Sequence, residues 1–336
     1  VIPPPLFRIL GAGLAVCGLL ALGGCKPSSS GGGSAALSDD EVENLVKRSY
    51  QYVAMYNVNN KFAIKQGGWN TVDPDTELKD HTMREIARPN NDTLYIACMV
   101  DLRKEPVILD MPEFDSDYVS LMVTGYDHYV NIPMSTRQGD FGKPAKMLLF
   151  TERTAGYDGG KVDGVDRLFE CTGDFVSAVL RVMPHGNDEA RFQRIVEQMK
   201  QVKLTPLSEF RGGEPKPLGE VGFPAVGETD FDVFENNLLE VMQFVFNHTT
   251  FDPSNADDRA VLDAFEPLGI EPGGSYAEAG LQAALGPRIR SAAEAVEEEW
   301  MTAIADPDVF ERLRPVAFQP KGETTAEAVL AYSVFG

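Results

Sequence analysis

Cysteine and histidine are scarce, with four of each in 336 residues. His81, His128, His185 and His248 stand far apart, so no helix or strand spacing for a zinc ligand set exists. No metal and no cofactor is therefore expected. Also missing are a Gly-x-Ser-x-Gly nucleophile elbow and a phosphate-binding loop, and Gly11-Ala12-Gly13 falls in an apolar N-terminal run where it has no nucleotide chemistry to serve. Positive charge is in short supply, at 30 Lys and Arg against 51 Asp and Glu, for a net charge of −21. Such a body repels nucleic acid and anionic head groups. No apolar run reaches the ~20 residues of a spanning helix. Nor does any repeat of solenoid period occur.

What is present begins with a short apolar stretch from Ile9 to Gly24, preceded by the single charge of Arg8 and closed by Leu22-Gly23-Gly24-Cys25. This text resembles the lipobox of bacterial lipoproteins, in which small residues fit the peptidase cleft and the cysteine becomes the lipidated first residue. The expectation is a signal peptide over residues 1–24, lipidation at Cys25 and a Ser/Gly tether over 25–37. Membrane attachment is then by lipid. The location that follows is the bacterial cell envelope, and Lys26 after the lipid site points to the outer membrane facing the periplasm.

Hydrophobic residues make up 43% and charged residues 24%, the balance of a folded chain. Ser38 with Glu41 forms a capping box, and Val42, Leu45, Val46, Tyr50, Val53 and Tyr56 recur at helical spacing. Residues 67–91 read as loop, with one short helix near Met83. The period then changes to short β-branched and aromatic runs at 94–100, 106–111, 118–124, 129–132, 145–151 and 175–182, the pattern of an antiparallel sandwich. After Pro184, apolar stripes at helical spacing return around Ile195, Val241, Val261 and Ile289. The fold class is α+β: an N-terminal helix with a β-sandwich-like domain over 38–185, then a mainly helical region over 186–322. Cys98 and Cys171 lie in the body, either as a disulfide or as separate buried thiols.

The densest polar text is Arg88-Pro89-Asn90-Asn91-Asp92-Thr93-Leu94-Tyr95, where a turn enters a strand. As a catalytic set it offers Asp92 as general base, Arg88 and Asn90 as charge and oxygen stabilisers and Tyr95 as a donor. Asn91, Tyr126, Asp127 and Trp69 complete the expected ligand-binding set. The competing reading is structural, because Pro, Asn and Asp build tight turns and Arg88 can pair internally with Asp92. Asp158, Asp163, Asp166 and Glu170 form an acidic glycine-rich loop without the EF-hand ligand order, which favours a solvated turn.

The string from Arg88 to Tyr95, followed by Asp101-Leu102, Glu105-Pro106-Val107-Ile108-Leu109, Tyr118-Val119-Ser120-Leu121 and Leu204-Thr205-Pro206-Leu207-Ser208, resembles the bacterial family named domain of unknown function 1254. The resemblance covers about residues 45–210. It implies a β-sandwich-like domain and a helical connector, seen at Leu268-Gly269-Ile270, toward a partner domain numbered 1214. On that basis residues 323–336 are expected to open a second β domain that this chain does not contain.

The function expected is a lipid-anchored envelope protein that binds a small molecule or glycan near Arg88–Tyr95, with an envelope hydrolase using Asp92 as the alternative. Self-association into a homo-oligomer is left open. If Cys25 is the lipid site, labelled fatty acid enters the wild-type protein and Cys25→Ser abolishes incorporation. Persistent labelling of the variant would refute the assignment.

Overall fold

Edge chemistry explains which strands the sequence announces and which it hides. In a computed structural model, residues 37–79, 91–277 and 279–335 are described. The first sheet has the order β1-β2-β8-β4-β5, built from β1 (Thr71–Asp75), β2 (Leu94–Asp101), β8 (Phe175–Val182), β4 (Val119–Thr124) and β5 (Val130–Ser135). The second has the order β7-β6-β3-β9, from β7 (Arg167–Glu170), β6 (Ala145–Phe150), β3 (Val107–Met111) and β9 (Lys203–Pro206). Strands β1, β7 and β9 are edges, and their prolines and charges read as loop because an edge tolerates a missing N–H and benefits from charge. All named pairs are antiparallel except β6 with β7, which the 151–166 loop brings back in parallel.

Alternation along the strands sets the layers. Leu94, Ile96, Cys98 and Val100 face inward with Val176, Ala178, Leu180 and Val182, against Val107, Leu109, Met147 and Leu149 of the other sheet. Helix α2 (Glu189–Met199), capped by Asp188, adds Ile195, Val196 and Met199 to this core. Cys98 and Cys171 are both buried and unpaired, and burial pushes each thiol up to about 12. Neither forms a disulfide. A four-residue helix α3 (Leu207–Phe210) covers the outer side of the second sheet with Leu207 beside Ile108 and Leu148.

A helical layer meets the first sheet at the end of its outer face marked by Phe175, while Tyr95, Ala97, Met122 and Val179 on the rest of that face stay partly exposed. Helix α1 (Asp39–Lys65) starts at the expected capping box, with the Glu41 N–H donating to Ser38 Oγ at 3.2 Å and the Ser38 N–H to Glu41 Oε2 at 2.7 Å. Its apolar stripe shares one core with α4 (Asp230–His248), α5 (Ala256–Phe265) and α6 (Ala279–Ile304). The expected grouping of this helix with the sandwich is thus replaced by packing on the later helices, because its apolar face meets theirs. From Leu37 on, the chain is one compact unit that runs through residues 185–186. After α7 (Pro307–Leu313), residues 326–335 form a helix, α8, with Ala328, Val329 and Leu330 buried. This corrects the expectation that 323–336 open a β domain: the apolar ending packs as a helix. Among the described residues no helix is long and apolar enough to cross a membrane.

Helix α4 bends at Asn237, whose backbone is non-helical. The bend frees backbone groups, and one side chain of α6 takes them up: Gln282 Nε2 donates to the carbonyls of Phe234 (3.1 Å) and Glu235 (2.8 Å), and Gln282 Oε1 accepts from the Leu239 N–H at 3.0 Å. Gly286, one turn on, lets α6 approach so closely that a methyl group there would overlap the Glu235 carbonyl. Gly286→Ala is therefore expected to destabilise the fold by about 1–3 kcal/mol despite alanine's better helix propensity. Urea unfolding of the variant is the check, and unchanged or raised stability would refute the close-crossing argument.

Candidate functional site at the helix–sheet joint

The register of the first sheet divides the expected site residues between its two ends. Leu94 and Val119 both pair with Val182, whereas Asp101 pairs with Phe175 and Thr124 with Ser177. Asn91, Asp92 and Tyr95 therefore lie at one end, and Trp69, Tyr126 and Asp127 at the other, separated by about 20 Å of strand. The structure does not bring Tyr95 and Tyr126 into one pocket. Asn91 and Asp92 are exposed, and Tyr95 is half-buried with the Arg181 guanidinium 5.6 Å from its ring centre. Arg88 and Asn90 lie outside the described residues, as do Cys25 and Met83.

At the far end, Trp69 and Tyr126 meet on Phe175, whose position on β8 points it away from the sandwich core and into the helical core. Ring centres lie 4.8 Å apart for Trp69–Phe175, 6.1 Å for Tyr126–Phe175 and 5.1 Å for Phe175–Phe223. Phe223 belongs to an irregular strap over residues 214–229. Its anchors are spaced along its length: Glu105 accepts from the Lys216 N–H (2.7 Å), Arg103 donates to the Leu218 carbonyl (3.1 Å), Tyr56 to that of Pro224 (2.7 Å) and Lys61 to that of Glu228 (2.6 Å). Between the strap and the end of α1 is a cleft of about 480 Å³, lined by Asn60, Ile64, Trp69, Phe223, Pro224 and Val226 among others. Asn60 is its one hydrogen-bonding side chain apart from the Trp69 indole, and it donates to the Tyr126 hydroxyl at 3.1 Å.

Behind Phe175, Asp174 orients His248. Its Oδ2 lies 2.9 Å from His248 Nδ1, and its Oδ1 accepts from Arg153 Nε at 3.0 Å and Thr151 Oγ1 at 3.3 Å. An imidazole held this way presents Nε2 for hydrogen bonding or proton transfer. Yet no hydroxyl or thiol among the described residues is hydrogen-bonded to Nε2, so no activated nucleophile is formed. Among the same residues no group of three or more His, Cys, Asp and Glu stands together as a metal site. Sequence reasoning missed the Asp174–His248 pair because 74 residues separate its members.

Asp127, singled out beside His128, follows the end of β4 in a tight turn. His128 adopts φ 61° and is half-buried with its Nδ1 2.8 Å from Ser333 Oγ, and desolvation of the ring lowers its pKa to about 3. Asp127 is wholly buried; the Thr172 hydroxyl and the Tyr129 N–H approach its carboxylate, but neither oxygen has a partner in full hydrogen-bond geometry among the described residues. Burial raises its pKa, opposed by the nearby Lys321 ammonium. Gly125 leaves space for this carboxyl, since a Cβ there would stand 3.3 Å from Asp127 Oδ1.

Residues 69–206 match the model of the protein family of unknown function DUF1254. The crystal structure of the VPA0106 protein from Vibrio parahaemolyticus is similar over 88% of this chain and 66% of its own, with a TM-score of 0.65 and 19% identity, a likeness of fold. The chain thus spans just under two thirds of that protein's length. An uncharacterised protein from Burkholderia cenocepacia aligns over 53% of this chain and 48% of its own at a TM-score of 0.31 and 12% identity, which carries no argument. No curated protein matches.

The burial of Asp127 sets a pH dependence. An unfolded aspartate ionises near pH ~4, whereas the folded one keeps its proton to higher pH. Stability therefore falls as pH rises from about 4 toward the folded value, since only the unfolded chain releases the proton. Asp127→Asn removes this titration, so its stability relative to wild type is expected to improve as pH rises from about 4 to the folded value and to stay level above it. A difference in unfolding free energy that stays constant with pH would refute a protonated, buried Asp127.

Proposed function

We propose that the protein is a lipid-anchored component of the bacterial cell envelope that binds a small, mainly apolar molecule in the cleft beside Trp69. The observation that carries the binding reading is a cleft of about 480 Å³ walled by Trp69, Phe223, Ile64, Pro224 and Val226, with Asn60 as an orienting group. So few polar groups favour an apolar ligand over a glycan, whose hydroxyls need many partners. The lipid anchor is supported by the Leu22-Gly23-Gly24-Cys25 text alone. The hydrolase alternative has less support, because Asp92 is exposed where a general base is best placed in an apolar cleft.

Two tryptophans make the test direct, because Trp300, whose buried Nε1 has no hydrogen-bond partner among the described residues, can be replaced by Phe to leave Trp69 as reporter. Titration of Trp300→Phe with the neutral apolar dye N-phenyl-1-naphthylamine is expected to quench Trp69 emission saturably. Ile64 is 67% exposed in the free protein, so Ile64→Asp should leave melting unchanged while weakening the dye about tenfold. Dye binding that ignores Ile64→Asp would place the ligand elsewhere.

A further inference from the structure

A second cleft, of about 210 Å³, opens between α1, α5 and α8, independent of the one beside Trp69. Its apolar wall is Val261 and Leu330, and its polar lining includes Arg48, Tyr52, Tyr129 and Asp257. The charges divide into two kinds. Lys47 is held by Glu43 at 2.9 Å and Glu299 at 3.0 Å, and Glu327 by Arg312 at 2.7 Å. By contrast, neither the Arg48 guanidinium nor the Asp257 carboxylate has an ion-pair partner among the described residues, although both line the same small space. They are not paired with each other.

The same cleft is also lined by two phenols that a ligand would meet. Tyr52 and Tyr129 are 1% and 2% exposed, and the Tyr52 hydroxyl makes no hydrogen bond among the described residues. Burial raises both phenols, so each stays protonated and able to donate. A purely anionic ligand would face Asp257, and a purely cationic one Arg48. The geometry points to a site for a small zwitterion, an α-amino acid with an apolar side chain: its carboxylate on Arg48, its ammonium on Asp257, a buried phenol donating to its carboxylate, and its side chain against Val261 and Leu330. A guanidinium suits a carboxylate through parallel N–H donors, and charge-assisted bonds of this kind persist in a recess that excludes much of the solvent.

The test is a thermal-shift panel of the common L-amino acids on the full chain, followed by calorimetric titration of the best binder and of its two half-molecules, the matching carboxylic acid and the matching amine. Apolar amino acids are expected to raise the melting temperature, and each half-molecule to bind about ten- to a hundredfold more weakly than the zwitterion. Arg48→Met and Asp257→Asn should each lose a similar factor while melting as wild type without ligand, since neither residue is paired. Tyr52→Phe should weaken binding with the fold intact. The inference is overturned if no amino acid shifts the melting curve, if the carboxylic acid alone binds as tightly as the zwitterion, or if Arg48→Met and Asp257→Asn retain full affinity.

Discussion

The carboxylate of Asp174, whose side chain is only 6% exposed, is the joint on which the sheet and the helical layer depend. Its side chain takes Arg153, Thr151 and His248, while its backbone N–H donates to the His248 carbonyl at 2.8 Å and its own carbonyl accepts from the Leu102 N–H at 2.8 Å. One residue thus ties the start of β8, the end of β2, the 151–154 turn and the last turn of α4. A buried carboxylate is tolerable only because its oxygens are met by donors, and those donors come from separate parts of the chain. The end of α4 is fixed against the sheet as a result, and Phe175, next in sequence, is delivered to the helical side.

From that placement the rest of the joint follows. Phe175 cannot turn back into the sandwich, so aromatic residues gather around it from the loop after α1, from α4, the β4–β5 turn and the strap. Arg103 stands 5.1 Å over the Phe175 ring while forming a bidentate pair with Asp101 and holding the Leu218 carbonyl. The strap has no regular secondary structure, so its backbone groups need partners from outside, and the side chains of Lys61, Tyr56, Arg103 and Glu105 provide them. Helix α1 lines both clefts, with Asn60 and Ile64 near its end and Arg48 and Tyr52 nearer its start.

The parts of this fold legible in the sequence are those governed by local chemistry. The Ser38–Glu41 capping box, the β2 and β8 alternations and the α4 stripe depend on residues within one turn or one strand, and each appears where its pattern stands. What was hidden depends on partners distant in sequence. Strand β1 has Pro74 and three polar neighbours, and only its edge position beside β2 makes it a strand. The apolar run at 326–335 has no amphipathic period, so its helical packing on α1 and α6 could not be read from spacing. Of the residues expected to bind a ligand, Trp69, Tyr126 and Asp127 do share one end of the sheet, but their distance from Tyr95 is a matter of register, which alternation alone does not fix.

The contrast between the two ends of the first sheet bears on how such sites are found. Polar density drew attention to residues 88–95, yet dense Asn, Asp and Pro text is what a turn requires, because these side chains serve neighbouring backbone groups. Asn91 and Asp92 are exposed, where water can satisfy them whatever their role. Polar groups at the joint are buried, and each is costly: Asp127 has no partner in full hydrogen-bond geometry among the described residues, and Asn60 has its amide committed to the Tyr56 carbonyl and the Tyr126 hydroxyl. A group that water cannot reach must be compensated by the protein or by something the protein binds. Isolation of a buried polar atom is therefore a stronger pointer to chemistry than crowding of exposed ones, and in this chain it selects the helix–sheet joint over the polar turn.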